Sequence, residues 1–306
     1  MNSPSIVILL LFIFNSTAFS QSPIITTHQN LIYGITSGTA LLMDVYQPSN
    51  SNHLGIMVIP GSSFGYSYPE SYNQEQLKSD YYWDTAYIGK WSSMLVEKGY
   101  TVFVINHRFA PQFHYADIIA DCQRAVRYVR FNAGKYGIDP YHLGALGHSS
   151  GANLCAILGV TDTGIEHAEN KMDSLSSKVQ AVVALAAPFD LSDFNKNGDT
   201  SVRKAFVLKM LESYMGELPA VAKGEFVLSG SYATASPIVH VTSDDAAFLI
   251  YYGDDDPIIP ARQATAMYQK LVENKVPSKI FVKHHGQHSP VPDMEEVDKW
   301  FKKYLK

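Results

Sequence analysis

The sequence predicts an α/β fold, a mostly parallel central sheet with helices on both faces, and three observations lead to it. Short, continuous apolar runs such as residues 55–59 and 247–252 are typical of strands in the buried middle of a parallel sheet. Segments with a helical period alternate with these runs, and that alternation indicates a sheet covered on both sides. At 306 residues the chain is long enough to bury a large core, and no internal repeat or low-complexity tract is visible in it.

The first residues predict a secretion signal. Residues 1–20 carry no charged side chain, and the apolar run of residues 6–14 is too short to span a bilayer. Ala18 and Ser20 are small residues of the kind that signal peptidase reads. We therefore expect cleavage near Gln21 and a secreted or periplasmic protein without stable membrane insertion. An uncleaved anchor is the alternative, because no Lys or Arg precedes the apolar run.

The remaining chain, residues 21–306, is predicted to form a single domain that opens with an antiparallel edge. Residues 31–35 and 40–46 are predicted to be two strands joined by a Ser-Gly turn. Residues 55–59 then form a strand that runs into a flexible loop at residues 60–65. Open α/β sheets place their sites at such carboxyl ends of strands.

An aromatic loop follows at about residues 66–91. Its rings lie among polar and acidic residues with no clear period. An aromatic ring both covers apolar substrate and stacks on the face of a sugar or of another aromatic ring, so the loop suggests substrate binding. The alternative, equally supported, is that some of these rings pack the loop onto the domain. The aromatic residues are Tyr66, Tyr68, Tyr72, Tyr81, Tyr82, Trp83, Tyr87 and Trp91.

Helices and strands then alternate toward the C-terminus. The alternation fails at about residues 190–235, a polar segment with its best helix candidate at residues 203–215, and we expect this insertion to form a small cap above the sheet. The predicted helices are residues 91–98, 116–132, 152–158, 262–274 and 295–305, and the predicted strands are residues 101–106, 143–147, 179–186, 247–252 and 280–283.

Composition limits the kind of partner. A net charge of −5 without a basic cluster argues against nucleic acid or an anionic membrane surface, so the expected partner is a small or neutral molecule. The two cysteines, Cys122 and Cys155, lie in predicted helices, and we expect buried thiols rather than a disulfide.

Residues 147–151 form a G-x-S-x-G motif, G-H-S-S-G, between a predicted strand and a small, apolar helix. In this context the serine, Ser149, sits in a strained turn that exposes its Oγ. A Cβ at Gly147 or Gly151 would clash with neighbouring backbone. A Ser-Gly turn that caps an ordinary helix is the alternative, but it does not explain both glycines. Ser149 is therefore a candidate nucleophile.

A serine nucleophile needs a base to take its proton and a carboxylate to orient that base. Three acids at residues 254–256 follow one predicted strand, and the histidines at positions 284, 285 and 288 follow the next. Serine, acid and histidine thus occupy successive strand ends in an order known for such catalytic groups. A metal site at the histidines is the alternative. No Cys or carboxylate nearby completes a tetrahedral set, so no metal is expected.

With these motifs the chain resembles the secreted esterase and lipase branch of the α/β-hydrolase family over residues 31–306, and it is similar to the acetyl-xylan and feruloyl esterases. Each motif alone is weak, but together they are specific. Besides residues 147–151, the matching segments are 44–46 (DVY), 106–111 (NHRFAP, similar to the family's Y-R-L-A-P), 136–140 (YGIDP), 235–238 (ASPI) and 253–260 (GDDDPIIP).

The resemblance implies roles for single residues. Asp256 takes the position before proline in the family's G-D-x-D-P-x-V-P and is implied as the catalytic acid of the triad, while Asp254 is expected to hold the loop. His288, which precedes Ser289, is implied as the base, with His285 as the second choice.

One departure from the family concerns the oxyanion hole. The family's loop usually reads H-G-G-G, whereas P-G-S-S stands at residues 60–63. A serine has the same backbone N–H as a glycine, so we expect the N–H groups of Ser62, Ser63 and Ser150 to face the oxyanion. The residues expected to contact substrate are Phe64, Tyr66 and His148.

The resemblance thus implies a serine hydrolase that cleaves carboxylic esters through an acyl-enzyme and needs no cofactor. Its substrate would be a small-molecule or polysaccharide ester, as for a short-chain carboxylesterase or an esterase that deacylates plant polysaccharide. A peptidase of the same fold is one alternative, although such peptidases normally add a large N-terminal propeller. A catalytically silent hydrolase fold used as a binding module is the other, and only the altered oxyanion loop supports it. The sequence indicates no oligomeric state.

Overall fold

The computed structural model describes residues 24–65, 86–163, 170–195, 204–217, 220–222, 225–227 and 230–306. The strands within them are β1 Ile24–Thr36, β2 Thr39–Pro48, β3 Gly55–Ile59, β4 Thr101–Ile105, β5 Leu143–His148, β6 Ala181–Leu185, β7 Ala220–Ala222, β8 Glu225–Val227, β9 Ala247–Gly253 and β10 Ser278–Lys283. Eight of these strands form one sheet in the order β1-β2-β4-β3-β5-β6-β9-β10, and β7 and β8 form a separate hairpin.

Helices connect most of these strands, as the alternating pattern predicts. They are α1 Ala86–Glu97, α2 Tyr115–Phe131, α3 Ala133–Tyr136, α4 Ser150–Val160, α5 Lys204–Met215, α6 Gly230–Thr234, α7 Ala261–Glu273 and α8 Met294–Tyr304. Every predicted helix is present, with ends that differ by a few residues from those expected.

The strand directions confirm the predicted fold class. β1 pairs antiparallel with β2, and β2 pairs antiparallel with β4, so the first two strands form the expected antiparallel edge. The other pairs in the sheet are parallel. All residues of β3, β4 and β6 are buried, because helices cover both faces. β10 is the opposite edge strand, and no residue of it is fully buried.

Two layers of apolar side chains hold the helices on the sheet. One layer packs α2, α4, α5 and α7 on one face, and the other packs α1 and α8 on the opposite face. Every residue of α4 is buried, which explains why the sequence after the G-x-S-x-G motif is small and apolar. α4, which directly follows Ser149, is therefore fixed rigidly against the sheet.

The two cysteines are free and buried, as expected. Cys122 lies in α2 and Cys155 in α4, both within the larger apolar layer. Burial raises the pKa of both thiols, because a thiolate loses its hydration in an apolar environment. Neither thiol is therefore a reactive nucleophile.

The predicted insertion at residues 190–235 is described in part, by α5, the β7–β8 hairpin and α6. Tyr214 in α5 stacks on Phe64 of the loop after β3, with ring centroids 3.6 Å apart and planes inclined by 8°. The Tyr115 hydroxyl donates to the carbonyl of Thr234 at the end of α6. The insertion thus packs beside the carboxyl ends of the strands, and its action as a cap stays a prediction.

Some sequence predictions fall on residues that the structure does not describe. The predicted signal, residues 1–20, lies outside the described residues, as do Tyr66 and the aromatic loop through residue 85. Trp91, the last ring of that loop, is 4% exposed and packs in the core. No helix of the described part of the chain has the length and apolar character needed to cross a membrane.

Candidate active site

Ser149 occupies a sharp turn between β5 and α4. Its backbone has φ 53° and ψ −123°, a conformation rarely adopted by a residue with a side chain. Two close backbone approaches make this turn possible. A Cβ at Gly147 would lie 2.5 Å from the carbonyl oxygen of Gly151, and a Cβ at Gly151 would overlap the carbonyl oxygen of Ile59. Both glycines of the motif are required by this geometry.

Ser149, His288 and Asp256 are joined by two hydrogen bonds. The Oγ of Ser149 lies 2.9 Å from Nε2 of His288, and Nδ1 of the same ring lies 2.7 Å from Oδ2 of Asp256. The ionised carboxylate accepts only, so Nδ1 carries a proton, and in the neutral ring Nε2 is then free to accept the serine proton. The arrangement therefore suits removal of a proton from Ser149.

The carboxylate of Asp256 is itself fixed in place. Its side chain is 2% exposed, and its other oxygen, Oδ1, accepts the backbone N–H groups of Ile258 and Ile259 at 2.8 and 2.9 Å. The turn that follows Asp256 thus satisfies one carboxylate oxygen and leaves the other for His288. This turn explains why a proline-containing segment follows the acid.

Two glycines bring the acid and the histidine together. A Cβ at Gly253, at the end of β9, would overlap the carbonyl oxygen of Gly286. That carbonyl accepts the N–H of Asp255 at 3.0 Å. The segment that we call the histidine loop, residues 284–293, therefore lies directly against the loop that carries the acid.

The neighbouring acids and histidines form two further pairs on the surface. Nδ1 of His284 lies 2.9 Å from Asp254, and Nδ1 of His285 lies 3.1 Å from Asp255. The hydrogen bond from His284 lowers the pKa of the Asp254 carboxyl. The His285 side chain is 93% exposed and pairs with Asp255, whereas His288 contacts Ser149. Within the described residues no cluster of three or more His, Cys, Asp or Glu side chains is placed to hold a metal ion.

The oxyanion loop, residues 60–65, differs from the expectation in one respect. The N–H of Ser62 donates to Oγ of Ser150 at 2.9 Å, so this amide already has an acceptor inside the protein. The expectation that it is free to face an oxyanion is therefore corrected. The N–H of Ser150 belongs to the first residue of α4, and such a group has no acceptor within its own helix. Ser63 lies in the same loop with φ 50°.

The predicted substrate contacts are also corrected in part. Phe64 is fully buried beneath Tyr214, so its ring belongs to the core and has no surface to offer a substrate. Its φ of 58° turns the backbone and directs the ring inward. Tyr66 lies outside the described residues.

His148 lies beside the predicted base at the end of β5, where its side chain is half-buried. Its contact with substrate stays a prediction. Its Nε2 is 2.8 Å from the carbonyl oxygen of His288, and the two rings are 5.1 Å apart. Burial, followed by the positive charge that His288 can carry, lowers the pKa of His148 to about 4. The ring is therefore neutral near pH 7. The sequence carries no signal for this contact, because the two residues are 140 positions apart.

A mostly parallel sheet with a serine after β5, an acid after β9 and a histidine after β10 defines an α/β-hydrolase of the esterase type, and β6 lies between β5 and β9. The chain belongs to the BD-FAE family, whose profile matches residues 43–271.

Curated relatives cover part of the chain. It is 27% identical over 179 residues to a probable carboxylic ester hydrolase, LipM, of Mycobacterium tuberculosis, a match that covers 58% of this chain and 39% of the relative. It is 28% identical over 182 residues to the esterase LipQ of the same organism, covering 58% and 40%. The chain thus spans about two fifths of the length of these relatives.

Solved structures share the fold over nearly the whole chain. A truncated carbohydrate esterase from gut microbiota superposes with a TM-score of 0.71 at 24% identity, covering 94% of this chain and 98% of the other. An acetyl ester-xyloside bifunctional hydrolase from Caldicellulosiruptor lactoaceticus gives a TM-score of 0.66 at 19% identity, covering 90% and 93%. At these identities the likeness establishes the fold.

Proposed function

We propose that the protein is a serine hydrolase that cleaves carboxylic esters through a covalent acyl-enzyme. One observation carries the proposal: His288 bridges Ser149 and Asp256 with hydrogen bonds of 2.9 and 2.7 Å. The names of the curated relatives, a carboxylic ester hydrolase and an esterase, support the same class of reaction.

In the acylation step, Oγ of Ser149 attacks the ester carbonyl carbon while Nε2 of His288 takes the hydroxyl proton. Asp256 accepts the hydrogen bond from Nδ1 and stabilises the imidazolium that forms. Backbone N–H groups at the start of α4, with Ser150 first, stabilise the negative charge on the carbonyl oxygen. The tetrahedral intermediate then collapses, the C–O bond to the alcohol breaks, and His288 returns the proton to the leaving oxygen.

In the deacylation step, a water molecule repeats the attack on the acyl group held by Ser149. His288 takes one proton from this water and delivers it to Oγ as the carboxylic acid leaves. The free enzyme is restored, and the balance is ester plus water giving acid plus alcohol. This chain's own residues perform each proton transfer, and no cofactor takes part in the proposal.

For the substrate we propose an acyl group carried by a polysaccharide. The solved structures that share the fold include a carbohydrate esterase and an acetyl ester-xyloside hydrolase, which supports this substrate class. The second candidate is a short-chain carboxylesterase acting on small esters. The curated relatives named as esterases and an arylesterase support it.

The first experiment measures release of nitrophenol from p-nitrophenyl acetate by the purified protein beside Ser149→Ala. Ser177→Ala is the matched control, because it truncates a buried serine whose Oγ contacts Thr163 beyond the C-terminal end of α4. We expect turnover in the wild type and the control, and loss of it by at least about 10³-fold in Ser149→Ala. Acetylated xylan and a series of longer acyl chains then separate the two substrate classes.

A folded wild type that hydrolyses no ester would overturn the proposal. Cleavage of a dipeptidyl p-nitroanilide instead would point to a peptidase of the same fold. Binding of acetylated xylan without hydrolysis would point to a binding module. These three results are distinct readouts of the same protein preparation.

We further propose that the protein is exported, on the basis of the apolar run and small residues within residues 1–20. The mass of the protein recovered from an expressing bacterial host tests this. A mature chain that starts near Gln21 in the periplasm or medium supports export. An intact N-terminus retained with the cell membrane would indicate the uncleaved anchor.

A further inference from the structure

His148 links the two sides of the candidate active site. It is the last residue of β5 and directly precedes Ser149 in the chain. Its Nε2 lies 2.8 Å from the carbonyl oxygen of His288. A carbonyl oxygen only accepts hydrogen bonds, so Nε2 of His148 carries the proton and donates it. His148, which is next to Ser149, thus holds the main chain of His288, whose ring contacts Ser149.

The His148 ring is itself held from several sides. It makes a T-shaped contact with the ring of Trp91, with the ring centroids 6.5 Å apart. Gly61 of the oxyanion loop approaches so closely that a Cβ there would lie 2.8 Å from Nδ1 of His148. β5 is an interior strand paired on both sides, with β3 and β6. The donor therefore projects from a fixed point in the sheet.

The histidine loop, by contrast, follows the edge strand of the sheet. β10 pairs on one side, with β9, and the pairs His284–Asp254 and His285–Asp255 at the start of the loop are exposed to solvent. Exposed pairs of this kind restrain a loop weakly. The hydrogen bond from His148 ties the same loop to the interior of the sheet, at the residue whose ring must meet Ser149.

We propose that His148 is a positioning residue that fixes the main chain of His288 and thereby sets the distance between Nε2 of His288 and Oγ of Ser149. The inference rests on the proposed function, in which His288 is the base. His148 is not a second base, because its Nε2 proton is directed at a carbonyl group. Because His148 directly precedes Ser149 in the chain, the end of β5 positions both the nucleophile and, through this hydrogen bond, the base.

Two substitutions separate donation of the hydrogen bond from the bulk of the ring. His148→Gln places an amide N–H close to the position of Nε2, whereas His148→Phe keeps a ring and removes the donor. We expect His148→Gln to retain kcat within about threefold. We expect His148→Phe to lower kcat about 10- to 100-fold with KM changed less than about threefold, since a misplaced catalytic group mainly slows the chemical step.

Controls keep this comparison interpretable. His142→Phe replaces a half-buried histidine that pairs with Asp139 at the opposite ends of the strands, and we expect no change in kcat. His148→Met supplies a second variant without the donor if the phenylalanine variant does not fold. Equal kcat in the glutamine variant and in a folded variant without the donor would overturn the proposal.

A spectroscopic measurement tests the inference without turnover. In Ser149→Ala protein, the proton on Nδ1 of His288 that is bonded to Asp256 should give a low-field proton NMR signal. We expect the signal to persist with His148→Gln and to broaden or vanish with His148→Phe or His148→Met, because a mobile loop exposes the proton to exchange. An unchanged signal in every variant would refute positioning, and this readout is independent of whether the protein hydrolyses esters.

Discussion

The backbone N–H of Ser62 donates a hydrogen bond to Oγ of Ser150, although 88 positions separate the two residues. Both are buried, with exposures of 6% and 2%. The bond fastens the oxyanion loop to the first turn of α4, directly after Ser149. A side chain in the nucleophile motif therefore sets the position of a loop that the family builds from glycines.

This bond predicts that Ser150→Ala slows hydrolysis. Loss of one buried hydrogen bond corresponds to about 1 kcal/mol, so we expect kcat to fall about fivefold or more while KM changes little. The measurement is a saturation curve on p-nitrophenyl acetate. Ser177→Ala, which also truncates a buried serine, should keep the wild-type kcat. If Ser150→Ala is as fast as the wild type, the bond does not position the loop.

Tyr214 supports the same loop through its ring but carries a buried hydroxyl without a partner among the described residues. Tyr214→Phe keeps the stack on Phe64 and removes that hydroxyl. We therefore expect the free energy of unfolding in urea to stay equal or rise by up to about 1 kcal/mol. The matched control is Tyr232→Phe. It deletes a hydroxyl that donates to the carbonyl of Glu217, so it should destabilise by about 1 kcal/mol. Destabilisation by both changes would contradict the prediction.

Asp255 and Asp256 are adjacent, but we expect the same substitution to have different effects at the two positions. Asp256→Asn removes the negative charge beside His288 and offers an amide donor to Nδ1, which disfavours the required tautomer. We expect kcat to drop about 10³-fold or more. Asp255→Asn, on the exposed pair with His285, should leave kcat within about twofold. Comparable losses in both variants would show that Asp256 has no special role.

The lowered pKa of His148 predicts a dependence of stability on pH. The folded state holds this pKa at about 4, whereas in the unfolded chain it returns to about 6.5. Between these values the unfolded state binds more protons, so the free energy of unfolding falls as the pH falls. We expect a loss of roughly 1–2 kcal/mol from this group between pH 7.5 and pH 5. His148→Gln should show a smaller loss over the same range in urea titrations. An equal loss in both proteins would mean that other groups account for it.

The fold was predictable because its signals are local. The apolar runs that became β3 and β9 and the helical segment that became α2 each identify themselves within a few residues. The close approach around Ser149 was also predictable, because only glycine permits it and both glycines stand in the motif.

Chain order alone predicts that a serine, an acid and a histidine form the site, but it does not say which acid and which histidine. The sequence offers three acids followed by three histidines, and spacing alone does not pair them. The structure pairs them one to one, and only His288 reaches Ser149. The burial of Phe64 and the bond of His148 to His288 depend on segments more than 100 positions apart. Such contacts follow from tertiary packing, which no local pattern encodes.

The edge position of β10 has a consequence for how long the protein keeps its activity on heating. Border strands open in local fluctuations at lower free energy than interior strands, and the segment after this one carries His288. Heat should thus abolish turnover at temperatures where β3, β5 and β6 still resist hydrogen exchange. The half-life of activity on heating would then depend on local opening of β10 rather than on unfolding of the whole domain. Substitutions that stabilise the pairing of β9 with β10 would be the direct way to lengthen this half-life.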